Sequence, residues 1–199
     1  FAGGQHEAEL LHRHGLPAEA LDAKAVHERE PAARADVIGG VHFTGDASLD
    51  PGRFLRALAE WARSRGAELR ERTPVTGFDT AGDRITRVRT TAEDIEAECV
   101  VLATGAWSPV AARGLGLSLP VQPARGYSLT ARAPAVMPRQ ALLLGERRVA
   151  VTPLGERLRI TGRLELSTLD TTPSPQKLAG IERAVREYIA LTEPLDVLE

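Results

Sequence analysis

Cysteine, aromatic residues and charge of one sign are scarce in this sequence, and each scarcity excludes a class of protein. The single cysteine, Cys99, rules out a disulfide within the chain and fits a reducing compartment. Aromatic residues make up 4% of the 199 residues, too few for a surface on which nucleic-acid bases stack. The net charge of −2 provides no electrostatic footprint for nucleic acid or an anionic membrane. We therefore expect a cytoplasmic protein without a nucleic-acid partner.

Long apolar runs and glycine-rich phosphate loops are absent as well. No run approaches the length that spans a bilayer, so the sequence predicts no transmembrane segment. A dinucleotide site normally rests its pyrophosphate on a helix reached through G-x-G-x-x-G. The pairs Gly3-Gly4 and Gly39-Gly40 have neither that spacing nor that context.

Motifs for metal and nucleophilic chemistry are also missing. Ser108 lacks the G-x-S-x-G elbow, and no histidine and acid are placed to complete a triad. A cluster of histidines near the start is open to two interpretations, a metal site or a solvated helix end. The second is favoured, because no cysteine or carboxylate completes a ligand set for His6, His12 and His14. We predict no metal.

The clearest predicted helix begins at Asp50, a suitable N-cap, with Pro51 in its first turn and Gly66 as its C-terminal stop. Its apolar residues recur at helical spacing, which predicts that Trp61 belongs to the core. The sequence around Ala81-Gly82-Asp83 alternates as a β-hairpin does.

The segment from Cys99 to Pro109 carries the strongest functional signal. The apolar run 99–103 predicts a strand buried on both faces of a mostly parallel sheet, with Cys99 as a small buried hydrophobe. Gly105 breaks the strand, and Ala106–Gly114 has helical composition. A strand, a small-residue turn and a helix form the geometry at which such sheets hold ligands, although a packed connection that binds nothing has the same pattern.

Four motifs together resemble one family. The turn Ala-Thr-Gly-Ala-Trp-Ser at 103–108 is similar to an FAD-contacting turn of the D-amino-acid oxidase-like flavoproteins, which include D-amino-acid dehydrogenase, glycine oxidase and sarcosine oxidase. The stretches 50–55, 73–75 and 120–130 follow the same pattern in the expected order, and 120–130 resembles the dehydrogenase branch most closely. The resemblance covers about residues 8–197.

The resemblance implies FAD as the cofactor. The family's matching valine holds the adenine through its backbone, which places Val75 at the cofactor. In the turn, small residues would let a ligand approach the backbone and a tryptophan would offer a flat apolar wall. The predicted cofactor contacts are Val75, Ala103, Thr104, Gly105 and Trp107.

The resemblance also implies a substrate pocket for a small amino acid or amine, roofed by the strands between 121 and 163. Such a site needs cations for a carboxylate and an apolar wall for the side chain. The candidates for carboxylate and hydroxyl contacts are Arg125, Tyr127 and Arg147, and those for the wall are Val149, Val151 and Thr161. Arginines on strands also commonly extend to solvent. His42 is a site neighbour or a structural histidine, with the structural role favoured.

We therefore expect an α+β (mixed α/β) fold, with a substrate-domain sheet flanked by helices and parts of a Rossmann-like FAD-binding domain. The expected divisions are a lead segment at 1–45, FAD-binding parts at 46–114 and a substrate sheet with a terminal helix at 115–199. The family oxidises the C–N bond of D-amino acids or related amines to imines. The dehydrogenase branch passes electrons to a quinone or other acceptor, which implies a peripheral location at the inner membrane.

Two alternatives stay open. One is a sarcosine or glycine oxidase-type amine oxidase. The other is a structural module without cofactor or activity, because the sequence lacks the family's glycine fingerprint and its late segment that closes the flavin site. We expect the 199 residues to be the middle of such an enzyme, not to retain FAD, and to be inactive alone.

Overall fold

The computed structural model describes residues 2–198, which form two compact units. In the described chain, unit 1 comprises 2–50, 126–164 and 172–198, and unit 2 comprises 51–125 and 165–171. Both units contain helices and strands, so the mixed α and β class predicted from the sequence is confirmed.

Unit 1 begins with two helices and a two-stranded sheet. The elements are α1 (Ala2–Arg13), β1 (Ala18–Asp22), α2 (Ala23–Arg29) and β2 (Gly39–Phe43). The strands pair antiparallel, from Ala18 opposite Phe43 to Asp22 opposite Gly39. Asp22 ends β1 and caps α2, since its Oδ1 accepts the Ala25 N–H at 2.8 Å.

Unit 1 also contains most of a four-stranded sheet in the order β6-β9-β8-β7. The strands are β6 (Ala124–Arg132), β7 (Leu142–Leu144), β8 (Val149–Leu154) and β9 (Arg157–Leu166), followed by α5 (Pro175–Arg186). Strands β7, β8 and β9 pair antiparallel as a meander. The core of the unit lies between this sheet and α5, and its fully buried members include Val151, Leu158, Ile160 and Val185.

Unit 2 contains two α-helices, a three-stranded antiparallel meander and a short 3-10 helix. Its elements are α3 (Pro51–Ser64), β3 (Val75–Ala81), β4 (Arg84–Thr90), β5 (Ile95–Glu96), a 3-10 helix (Gly105–Trp107) and α4 (Ser108–Arg113). The predicted hairpin is confirmed, with Gly82 in the left-handed region at φ +62° in the turn between β3 and β4. Only two residues of unit 2 are buried, Ser108 and Ala112.

The predicted strand at 99–103 is wrong. These residues form no strand, Val101 is 82% exposed, and Cys99 is exposed rather than buried. The run has the composition of a central strand, but no described strand pairs with it, and a strand needs a partner for its backbone hydrogen bonds.

The prediction that Trp61 belongs to the core is also wrong. The bounds of α3 agree with the expected stop signals, but the helix has no buried residue and Trp61 is 54% exposed. The Arg65 guanidinium stacks over the Trp61 ring, 4.1 Å from its centroid. Helical spacing of apolar residues identifies a stripe but not what covers it.

Candidate functional site

The turn at 103–108 presents its backbone to the surroundings. Gly105 lies in the left-handed region at φ +53°, and a Cβ placed on it would have no neighbour within 4 Å. The hydroxyls of Thr104 and Ser108 are 3.0 Å apart and link the turn to the start of α4. A ligand could therefore reach the main chain here, as the sequence predicts.

The other predicted cofactor residues of unit 2 are accessible as well. Val75 is the first residue of β3 and is 54% exposed, and Trp107 is equally exposed at the end of the 3-10 helix. Ala103, the first residue of the turn, is exposed. These accessible backbone and apolar surfaces fit contacts to FAD, whose adenine and flavin rings need main-chain polar groups and flat apolar walls.

The structure places the predicted substrate residues of unit 1 on different sides of one sheet. Tyr127, Val149 and Val151 project into the core beside α5 and are at most 4% exposed. Thr161 lies on the opposite face and is exposed. The separation follows from the pairing of β8 with β9, in which Val149 opposes Gly162 and Ala150 opposes Thr161.

Arg125 and Arg147 lie in ion pairs. In unit 2, the Arg125 guanidinium lies 3.4 Å from Glu165 Oε2 and 3.5 Å from Asp170 Oδ2. In the turn before β8, Arg147 Nε donates to Glu187 Oε2 at 2.7 Å. Each arginine therefore already has a carboxylate beside it.

Two hydroxyl-bearing rings of unit 1 have charged neighbours. The Lys177 ammonium lies 3.3 Å from the Tyr127 hydroxyl and 5.1 Å from the centre of its ring. Tyr188 donates to Glu146 Oε2 at 3.1 Å, and burial together with this carboxylate raises the Tyr188 pKa.

Arg159 is a candidate that the sequence analysis did not identify. It lies on the same face as Thr161, directly opposite Thr152 of β8. Its Nη1 donates to Thr130 Oγ1 at 3.1 Å and its Nη2 to Ser128 Oγ at 2.9 Å. The alternation of charged and apolar residues along β9 was the available signal, since it places Arg159 and Thr161 on one side.

The histidines show no convergent arrangement. Within residues 2–198, no group of three or more histidine, cysteine, aspartate or glutamate side chains could hold a metal ion. His42 lies on β2 opposite Glu19, with its Nδ1 3.8 Å from Glu19 Oε2, and this nitrogen is buried without a hydrogen bond. Among the described helices, none is long and apolar enough to cross a membrane.

A family model described as FAD dependent oxidoreductase (DAO) matches residues 2–198. The chain belongs to the DAO family of FAD dependent oxidoreductases. This confirms the resemblance and the cofactor class inferred from the sequence.

Among curated relatives, a D-amino acid dehydrogenase of Paramagnetospirillum magneticum is 36% identical over 173 residues, which cover 84% of this chain and 41% of the relative. A D-amino acid dehydrogenase of Rhizorhabdus wittichii is 33% identical over 190 residues, which cover 93% of this chain and 46% of the relative. The chain thus spans less than half the length of these relatives.

Solved structures share the fold. Glycine oxidase from Bacillus cereus has a TM-score of 0.86 at 20% identity, over 100% of this chain and 54% of its own. L-proline dehydrogenase from P. horikoshii has a TM-score of 0.82 at 22% identity, over 98% of this chain and 54% of its own.

Proposed function

We propose that the protein, carrying FAD, oxidises the C–N bond of a D-amino acid to an imine, which water then hydrolyses. The observation that carries this proposal is the similarity to the two D-amino acid dehydrogenases across 84% and 93% of this chain. The amino acid loses the equivalent of a hydride and a proton, and FAD supplies the chemistry of the hydride acceptor when bound.

Unit 2 supplies cofactor contacts in this proposal. Val75 and the turn from Ala103 to Gly105 would hold FAD through their backbone, and Trp107 would cover an apolar part of it. The accessible backbone at Gly105 supports this role. We propose three functional segments: a lead segment at 1–45, FAD-binding parts at 46–114 and a substrate region at 115–199.

The substrate region would bind and orient the amino acid. A carboxylate requires a cation, and arginine matches it with two parallel N–H groups. Arg125, Tyr127 and Arg147 stay candidates for this contact, together with Val149, Val151 and Thr161 for the side chain. Thr161 has the most direct support, because it is exposed whereas both valines lie in the core.

We propose that electrons leave to a quinone or another acceptor, as in a dehydrogenase, at a peripheral membrane location. The test is dye reduction by an FAD-loaded protein that contains these 199 residues and spans the full length of the curated relatives, with a panel of D-amino acids, compared with oxygen consumption on N-methyl amines. Dye reduction with D-amino acids is expected. Oxygen consumption with sarcosine and no dye reduction would favour the amine oxidase instead, and no turnover with FAD bound would overturn both.

Cofactor retention has its own experiment. The sequence of these 199 residues lacks the glycine fingerprint, so we expect the purified chain to be colourless after incubation with FAD and desalting. Flavin absorbance near one equivalent would show that the turn at 103–108 and its neighbours build a sufficient site without that loop.

A further inference from the structure

We propose that His42, Glu19 and Arg29 of unit 1 form a pH-sensitive ion-pair network, in which a proton taken up by the His42 imidazole draws the Glu19 carboxylate onto His42 Nδ1. The network joins three elements, because His42 lies on β2, Glu19 on β1 and Arg29 at the end of α2. Protonation stabilises the pairing of β1 with β2, and loss of the proton loosens it. This device is independent of the oxidation proposed above.

The first support is a buried nitrogen atom whose hydrogen bond is not made. His42 Nδ1 is buried and has no hydrogen-bond partner in the part of the chain that the structure describes. Glu19 Oε2 lies 3.8 Å away, about 1 Å beyond the usual length of an N–H···O bond. Folded proteins leave few buried polar atoms in this state, because each has lost its bond to water without a replacement. A small rotation of the Glu19 side chain, which is 51% exposed, would supply the missing bond.

The second support is the pair of cations that share one carboxylate. Glu19 Oε2 accepts from Arg29 Nη2 at 2.9 Å, so a cation of α2 holds this oxygen beside β2. Neutral imidazole carries a hydrogen on only one ring nitrogen, whereas imidazolium carries one on both. Protonation of His42 therefore ensures a donor at Nδ1 and adds a positive charge that attracts Glu19. Histidine is the side chain that ordinarily changes charge between pH 5 and 8.

The neighbouring elements offer other charged groups, but these have different contacts. The charged and titratable groups that surround β2 are Glu19 and Asp22 of β1, Lys24, His27, Glu28 and Arg29 of α2, and Glu9 and His12 of α1. Asp22 caps α2, and Lys24 lies 3.8 Å from Glu28. The His27 ring contacts two backbone carbonyls. Glu9 and His12 line a shallow groove between α1 and β1. Glu19, directly opposite His42 in the strand register, is therefore the partner assigned to the imidazolium.

The sheet that this network joins is small enough to respond to one ion pair. Strands β1 and β2 have five residues each, and in the described chain they form a sheet of two strands only. The residues of β2 are half-buried or exposed. Because a two-stranded sheet is marginally stable, one added ion pair changes how often the strands separate.

Hydrogen exchange of the full 199-residue chain tests the proposal. All proteins carry His27→Gln, so that the second titrating ring near β2 does not contribute. The measured quantity is the protection of the β1 and β2 amides relative to those of β8 and β9, corrected for the intrinsic exchange rate at each pH. We expect this ratio to be about two- to fivefold higher at about pH 5.5 than at about pH 8.5, as for a partly exposed ion pair.

Two variants and a matched control assign the response to the network. His42→Gln and Glu19→Gln should each remove the pH dependence of the ratio, because each removes one charge of the new pair. Glu28→Gln, at an exposed glutamate of α2, should retain it. An equal ratio at both pH values in the reference protein, or a response that persists in folded Glu19→Gln, overturns the proposal.

NMR spectra of the histidine rings detect the bond itself. In isotope-labelled protein at about pH 5.5, we expect the His42 Nδ1–H proton to be protected from exchange with water, and this protection to be lost in Glu19→Gln. Arg29→Gln should retain the protection, because Glu19 then has no competing cation. An unprotected Nδ1–H in the reference protein, or protection that is unchanged in Glu19→Gln, also overturns the assignment.

Discussion

Gly162 occupies a position in β9 where even a methyl group has no room. A Cβ built there would lie 2.9 Å from Val149 Cγ2 and 3.4 Å from Ile181 Cγ1, between β8 and α5. We expect Gly162→Ala to lower the free energy of unfolding by about 1–3 kcal/mol through overpacking. Gly126→Ala is the control, since a Cβ on that β6 glycine meets no atom within 4 Å. Equal urea midpoints for the two variants would contradict this packing.

Glu30 is a buried carboxylate with a structural task. It is 3% exposed, and its two oxygens accept the N–H groups of Ala32 at 3.2 Å and Arg139 at 2.8 Å. Glu30→Ala would leave both donors without this acceptor, so we expect it to cost about 2 kcal/mol or more. Glu28→Ala, at an exposed position of the preceding helix α2, should cost less than about 0.5 kcal/mol. Chemical denaturation of both variants provides the measurement.

At the scale of elements, His27 joins α2 to the segment that follows it. Its Nδ1 lies 2.5 Å from the Ala23 carbonyl oxygen and its Nε2 lies 2.9 Å from the Arg34 carbonyl oxygen. Both nitrogens can donate only in the imidazolium, so these carbonyls raise the His27 pKa above its usual 6.5.

The raised pKa sets the direction of the pH dependence. The stability contributed by His27 is complete below the unfolded pKa and is lost as pH rises through the higher folded pKa. We expect the wild-type urea midpoint to exceed that of His27→Gln more at about pH 5.5 than at about pH 8.5. A constant difference in urea midpoint between the two proteins across this pH range would contradict hydrogen bonding of both carbonyls by a protonated His27.

Helices α3 and α5 differ in how their apolar residues are used. Leu55 of α3 is 62% exposed, whereas Val185 of α5 is fully buried in the core. We expect Leu55→Gln to change the free energy of unfolding of this chain by less than about 0.5 kcal/mol. Val185→Ala should cost about 1–2 kcal/mol. A comparable loss in both variants would show that the α3 stripe is covered in solution.

Sequence patterns predicted local structure better than burial. Asp50, Pro51 and Gly66 delimit α3 because caps and stops act within a few residues, and the Gly82 turn follows from the same local chemistry. Burial of Trp61 and of the 99–103 run would need contacts with residues distant in the sequence, and local composition does not show whether such contacts exist. Likewise, alternation within β8 and β9 did not reveal which positions oppose each other, so the two faces of the candidate site required the register.

For the whole molecule, the two units differ in their cores. Unit 1 contains a contiguous apolar cluster, while unit 2 has two buried residues. We expect amides of β3 and β4 to exchange with solvent faster than those of β8 and β9, because few buried contacts oppose their opening. Hydrogen exchange followed by mass spectrometry tests this. Equal protection in both sheets would contradict the difference.

The location of the tryptophans has a practical consequence. Both of them, Trp61 and Trp107, belong to unit 2 and are 54% exposed, while both tyrosines belong to unit 1. Tryptophan fluorescence therefore reports on unit 2, which has few buried residues. It is a poor monitor of unfolding of the apolar core of unit 1. Near-ultraviolet dichroism of Tyr127 and Tyr188 is the optical signal that follows the core itself.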